Sequence, residues 1–174
     1  MIALKRILVA TDFSEPAKVA VAYGRDLARQ YDAGLHVVHV IENVLAYYGS
    51  EAGFALADVE RNIERSVQKD LDAAIAANGD GPLNAIAVVE RASNVAHALT
   101  EYARQQAIDL IIVGTHGRGA VSRFLMGSVA ERVVRSAPCP VLTVRAEERD
   151  FVDVTGGEAT RHDDLVASSS TNHH

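Results

Sequence analysis

A doubly wound, five-stranded parallel sheet with helices on both faces is the fold class this sequence predicts. Three observations lead there. Short β-branched runs alternate with longer stretches of helical spacing, the pattern of consecutive βαβ units. The first of these runs is continuously apolar from Ile7 to Ala10 rather than alternating, as in a strand covered on both faces. The chain has 174 residues, 48% hydrophobic and 23% charged, which suits one domain with a substantial core.

The elements follow in order. Arg6–Ala10 reads as a buried first strand. Ser14 stands as the N-cap of a helix with Glu15 and Pro16 in its first turn, running to about Tyr31. Gly34 breaks the chain before the second strand, Leu35–Val40. Residues 42–56, with Tyr47, Tyr48, Gly49, Gly53 and Phe54, are irregular and long enough for a lid or binding loop. A second helix spans about Ala57 to Asn78, with Val59, Ile63, Val67, Leu71 and Ile75 on one stripe, and Gly79–Pro82 stops it. Ala85–Val89 is the third strand, and Ser93 or Asn94 caps a helix reaching about Gln106. Asp109–Val113 is the fourth strand. A glycine-rich loop leads to a helix over about Ser128–Ser136, and Pro138-Cys139-Pro140 turns into a fifth strand, Val141–Val144. The rest is polar and acidic, so the sequence divides into a domain at 1–146 and a disordered tail at 147–174.

Composition excludes several function classes. A net charge of −6 disfavours nucleic acid and anionic lipid as partners, and the absence of Trp removes an obvious stacking platform. No apolar run is long enough to cross a bilayer, and no signal-peptide order opens the chain. Cys139 is the single cysteine, so no intramolecular disulfide forms. Cytoplasmic localisation is the expectation.

The segment that carries chemistry is Gly114 to Ser128, between a buried strand and a helix start. Glycines permit positive φ and close approach of backbone N–H groups to a ligand. The N-terminus of the following helix adds free donors and the positive end of a dipole, and the Ser128 hydroxyl adds another hydrogen bond. Arg118 brings a guanidinium that can neutralise phosphate. There is no G-x-x-x-x-G-K-[ST], and the first strand leads into Thr11-Asp12-Phe13 rather than G-x-G-x-x-G. The residues alone describe an anion-binding crevice, or else a tightly packed turn that holds nothing.

From about Leu4 to Arg145 the chain resembles the universal stress protein family. Three stretches carry the resemblance: Ile7–Ser14; Gly114, Gly117, Gly127 and Ser128 in the spacing G-x2-G-x9-G-[ST]; and Ser128–Val134 leading to Ala137–Val141. The resemblance implies the adenine nucleotide alpha hydrolase-like, Rossmann-like form of the sheet, and the ATP-binding branch of the family. It implies that Asp12, flanked by Ala10 and Thr11, contacts the adenosine end, and that the Val40 backbone meets the adenine edge. Val113 and Gly114 are then near ribose and base. His116, Gly117, Gly127, Ser128, Val129 and Ala130 surround ribose and phosphates. The implied cofactor is ATP, with or without magnesium. One departure is Ala92, where relatives have glycine after the third strand. The resemblance also implies a homodimer through Val141–Val144, an edge strand otherwise open to strand addition; the alternative is that Phe151-Val152 folds back over that edge.

Other residues are read more plainly. His36 and His39 are three apart in a strand and point to opposite faces, so they form no metal site. Cys139 is a packing residue, Tyr47, Tyr48 and Phe54 are local packing with a lid over the nucleotide as the alternative, and Arg118 and Arg123 are either plain surface charges or ligand contacts. No catalytic residue or metal ligand is assigned. The expected function is a nucleotide-dependent signalling or stress-response regulator with little turnover, acting on a protein partner the sequence does not name. The alternatives are a slow ATPase or autokinase, with Ser122 or Ser128 accepting phosphate, and a dimeric interaction module binding AMP, cyclic AMP or nothing.

Overall fold

The computed structural model describes residues 2–42, 53–76, 83–115 and 126–145. Along the chain these form β1 (Arg6–Ala10), α1 (Glu15–Tyr31), β2 (Gly34–Glu42), α2 (Gly53–Ala76), β3 (Ala85–Ala92), α3 (Val95–Gln105), β4 (Leu110–Gly114), α4 (Ser128–Ser136) and β5 (Val141–Val144). The strands make one sheet in the order β3-β2-β1-β4-β5, with every neighbouring pair parallel. The winding direction reverses between β1 and β4. At such a reversal the loops leaving the carboxyl ends part in opposite directions and open a crevice.

Alternation along the strands divides the interior in two. Ile7, Val9, Leu35, Val37 and Ile112 face α1 and α2, where they meet Ala20, Tyr23, Ala28 and Leu71. Leu8, Val38, Val40, Ile111 and Val113 face α3 and α4, where they meet Leu99, Ala103, Ala130 and Val133. Strands lined with apolar side chains on both faces explain the continuous apolar runs of β1 and β4. His36 and His39 follow the same alternation. The His36 ring lies on the α3 face, its Nδ1 2.8 Å from the Tyr102 hydroxyl, and burial followed by the Arg6 charge holds its pKa below the usual value. His39 lies on the α1 face, stacked on Phe13. Cys139 packs beneath the α3–α4 face; burial, then the nearby Asp109 charge, pushes its thiol up.

Several boundaries differ from the sequence reading, each for a local reason. α1 ends without help from Gly34: Asp32 adopts the left-handed conformation (φ 52, ψ 43), and its N–H closes the last turn on Ala28 and Arg29. Gly34 already belongs to β2, bonded to Lys5 O at 2.8 Å. β2 and β3 pair as far as Glu42 and Ala92, so Ala92 ends a strand rather than occupying the turn after it. Of the two candidate caps for α3, Asn94 is the one used, its side chain accepting the His97 N–H at 3.1 Å. The aromatic segment 43–52, the stop at 77–82, and the tail from 146 lie outside the described residues.

Asp109 precedes β4 instead of starting it. Its Oδ2 accepts the N–H groups of Lys5 at 2.8 Å and Arg6 at 2.9 Å, and its own N–H donates to Arg6 O at 2.9 Å, tying the start of β1 to β4. Burial opposes its charge, but the two backbone bonds and the Arg6 and Lys5 cations outweigh that and hold its carboxyl below the ordinary range. A carboxylate depressed in the folded state stabilises above its unfolded pKa, about 3.9, and that stability is lost as pH falls through the folded value. Asp109→Asn is therefore expected to cost about 1 kcal/mol at pH 7. The difference should shrink towards pH 3, as urea titrations at the two pH values will measure.

Candidate functional site

The turn after β1 is built almost entirely from its own polar groups. Thr11 N–H donates to Val38 O at 3.0 Å, continuing the β1–β2 pairing one residue past the strand. The Thr11 hydroxyl accepts the Phe13 N–H at 3.0 Å, and Thr11 O lies 2.8 Å from His39 Nδ1, so that nitrogen carries the proton. Phe13 sits at φ 64, a conformation costing a bulky residue about 1–3 kcal/mol. Its stack on His39, with ring centroids 4.8 Å apart, and the Thr11 bond offset that cost. Asp12 Oδ1 accepts the Ser14 N–H at 3.0 Å and the Ser14 hydroxyl as well. Ser14 does occupy the N-cap position, but its hydroxyl serves Asp12 and makes no cap bond to α1.

At the carboxyl end of β4 the chain returns to its own starting point. Thr115 N–H donates to Val144 O at 2.8 Å, and Thr115 O accepts the Gly127 N–H at 2.6 Å. The two ends of the glycine-rich segment are thus bonded to each other, and the first turn of α4 stands directly over the end of β4. Gly127 is the N-cap of α4. The first-turn N–H groups of a helix have no acceptor within it, so Ser128, Val129 and Ala130 present donors here. Neither described glycine of the motif uses positive φ: Gly127 has φ −58, and Gly114 is a matter of space. A Cβ on Gly114 would lie 3.1 Å from Pro16 Cβ and 3.2 Å from Ala17 N, so glycine lets β4 approach the first turn of α1.

These two turns flank a cleft of about 950 Å³ at the carboxyl ends of β1, β2 and β4. Ala10, Thr11, Asp12, Val40, Val113, Gly114, Gly127, Ser128, Val129 and Ala130 all line it. His116, Gly117 and Arg118, like Ser122 and Arg123, lie outside the described residues. The cleft also takes in residues for which sequence reasoning found no role: Phe13 and His39, and Ile63, Ser66, Val67 and Asp70 of α2. The signal for the α2 group was present. The stripe Val59–Ile63–Val67–Leu71–Ile75 goes from fully buried at Leu71 to 43% exposed at Ile63, so Ile63 opens to the cleft while Val67 lines it and still packs against the core. Ser66 and Asp70 border them one turn apart.

The charged groups on the described lining are Asp12, Glu42 and Asp70, with His39 the one further titratable side chain. No lysine or arginine is among these described residues. Among the described residues no three His, Cys, Asp or Glu side chains gather in a way that would hold a metal ion. A polyphosphate placed here would rely on helix N–H groups and on cations from outside the described lining. A magnesium ion here would have Asp12 and the Ser128 hydroxyl as its protein groups and would take most of its ligands from phosphate oxygens and water.

The sequence profile of the universal stress protein family matches residues 3–145. The chain belongs to the universal stress protein family. A universal stress protein of Thermus aquaticus is 38% identical over 141 residues, covering 81% of this chain and 98% of its own. One from Staphylococcus haemolyticus, described as putative, is 35% identical over 150 residues, covering 85% of this chain and 88% of its own. Among solved structures, UspA from Lactobacillus plantarum superposes with a TM-score of 0.63 at 25% identity, over 83% of this chain and 100% of that one. A universal stress protein in complex with cAMP superposes with a TM-score of 0.58 at 24% identity, over 83% and 98% of the two chains. The five-stranded parallel sheet with helices on both faces is thus the fold of this family. Among the described residues no helix is long and apolar enough to cross a membrane.

Proposed function

We propose that the cleft binds an adenine nucleotide, ATP foremost, and that the protein is a cytoplasmic, nucleotide-dependent regulator with little turnover. The observation that carries this reading is the closure of the glycine-rich segment: Gly127 N–H on Thr115 O sets the first turn of α4 at the mouth of the cleft. That juxtaposition gives the spacing Gly114, Gly117, Gly127, Ser128 a physical use, namely unpaired helix donors aimed at an anion. A protein of the same fold, solved with cAMP, supports adenine nucleotides as the ligand class. In this reading Ala10, Thr11, Asp12, Val40, Val113 and Gly114 hold the nucleoside. His116, Gly117, Arg118, Gly127, Ser128, Val129 and Ala130 hold the phosphates and ribose. Low turnover belongs to this reading because phosphoryl transfer needs a held metal and a positioned nucleophile together, and no lysine or arginine stands beside Asp12 and Ser128 among the described lining residues to share that task. β5 lies at the edge of the sheet and is the proposed contact with a second copy.

The test is a thermal-shift series with ATP, ADP, AMP, cyclic AMP and GTP, each with and without Mg²⁺. ATP at about 100 times its dissociation constant should stabilise by about 2.7 kcal/mol. Three carboxylates on the lining repel phosphate, so Mg²⁺ is expected to tighten ATP by about tenfold and leave AMP nearly unchanged. No shift with any nucleotide, in protein shown by mass spectrometry to carry none, overturns the reading.

A further inference from the structure

A second groove, of about 340 Å³, runs between α3 and α4 and shares no lining residue with the cleft. It is lined by Asn94, His97, Thr100, Arg104, Arg132 and Arg135, with no carboxylate among the described residues that form it. Arg104 is paired with Glu101 at 3.3 Å and Arg135 with Glu131 at 2.9 Å. Both are exposed pairs within one helix, of the kind that contribute little and exchange partners readily.

The opposite charge lies in the same chain. Residues 146–174 hold seven carboxylates and two arginines, so most of the net charge of −6 follows β5. Glu147, Glu148, Asp150 and Asp153 come first, interleaved with Phe151 and Val152. β5 ends at Val144, at the end of the sheet where α4 begins. At 1.5 Å per residue, Arg132 and Arg135 stand about 6 and 10 Å along α4 from Ser128. An extended chain covers about 3.3 Å per residue, which places residues 147–153 within about 7–26 Å of Arg145. That span is enough to cross a helix about 10 Å wide.

We infer that the acidic segment 147–153 docks in the α3–α4 groove, with its carboxylates on Arg132 and Arg135. Tethering gives the segment an effective concentration of about millimolar, so pairs too weak to hold a free peptide suffice. The groove is then covered by the protein's own charge until a competing acidic partner or salt displaces it.

Trypsin cleavage after Arg149, in the full-length chain at low salt without nucleotide, tests this. Cleavage tracks the undocked population when docking is fast. The double variant Arg132→Glu, Arg135→Glu is expected to be cut at Arg149 about fivefold faster. Wild type should approach that rate in 0.5 M NaCl. Neutralising Glu147, Glu148, Asp150 and Asp153 to Gln or Asn should shift the backbone amide resonances of Thr100, Arg132 and Ser136 while circular dichroism stays unchanged. Equal cleavage rates with unmoved groove resonances overturn the inference. So does an effect that appears only at high protein concentration, which would place the segment on a second copy. Neither readout involves a nucleotide, so failure of ATP binding leaves this test intact.

Discussion

Gly127→Val is expected to leave the nucleotide-free protein close to its own melting temperature and to abolish the rise produced by ATP. The first half follows from the backbone. Gly127 has φ −58 and ψ 146, which a β-branched residue adopts without strain, and its N–H bond to Thr115 O is untouched by a side chain. The second half follows from position. Gly127 lines the cleft next to Ser128, Val129 and Ala130, so a branched side chain added there competes with a ligand phosphate for the space at their donors. The expected loss is the whole ligand term, about 2.7 kcal/mol at 100 times the dissociation constant. For a domain of this size that is about 5–10 °C of ATP-dependent shift. Differential scanning fluorimetry of both proteins, with and without ATP, measures it. A variant that still shifts with ATP would place the phosphates elsewhere. A variant that melts much lower without ligand would make Gly127 a folding residue.

The parts of this fold that were legible in the sequence are those where one physical demand acts alone. β1 and β4 are short runs whose three central residues are buried between helices on both faces, and burial dictates them. The glycine spacing was legible for a similar reason: a strand end, a close approach to α1 and a helix start must follow in order. What the sequence hid lies where two demands share a residue. Thr11, Asp12 and Ser14 suggested a cap and a ligand contact, yet their side chains mostly hold one another and the strained Phe13. His39 showed no partner in sequence because both of its partners, Phe13 and Thr11 O, come from the turn after β1. The α2 stripe was legible as one face and no more, because periodicity reports a face and not what covers it. Only the folded structure shows that Leu71 is buried while Ile63 is at the cleft.

Gly24 was passed over for the opposite reason: it sits mid-helix, where glycine costs about 1 kcal/mol relative to alanine and signals nothing by propensity. The structure supplies the cause. α1 lies so close to β1 that a Cβ on Gly24 would fall 2.3 Å from Val9 Cγ2 and 3.2 Å from Leu35 Cδ1, and both side chains are fully buried. Val9 is short and branched and cannot swing aside, so either the helix or the strand must move. Gly24→Ala gains about 1 kcal/mol in helix propensity and is expected to lose about 3 kcal/mol to overpacking, a net destabilisation of about 2 kcal/mol. Val9→Ala alone should cost about 2 kcal/mol through the cavity it leaves. Together the two changes should interact, because the alanine at 24 occupies the space that the valine vacates. The double variant is expected to lie at least 1 kcal/mol above the sum of the singles in a urea double-mutant cycle. Additive losses would mean that α1 yields as a rigid body instead of clashing at one atom. The β1–α1 contact would then be too soft to hold the turn carrying Asp12, and ATP affinity should fall in Gly24→Ala in step with stability.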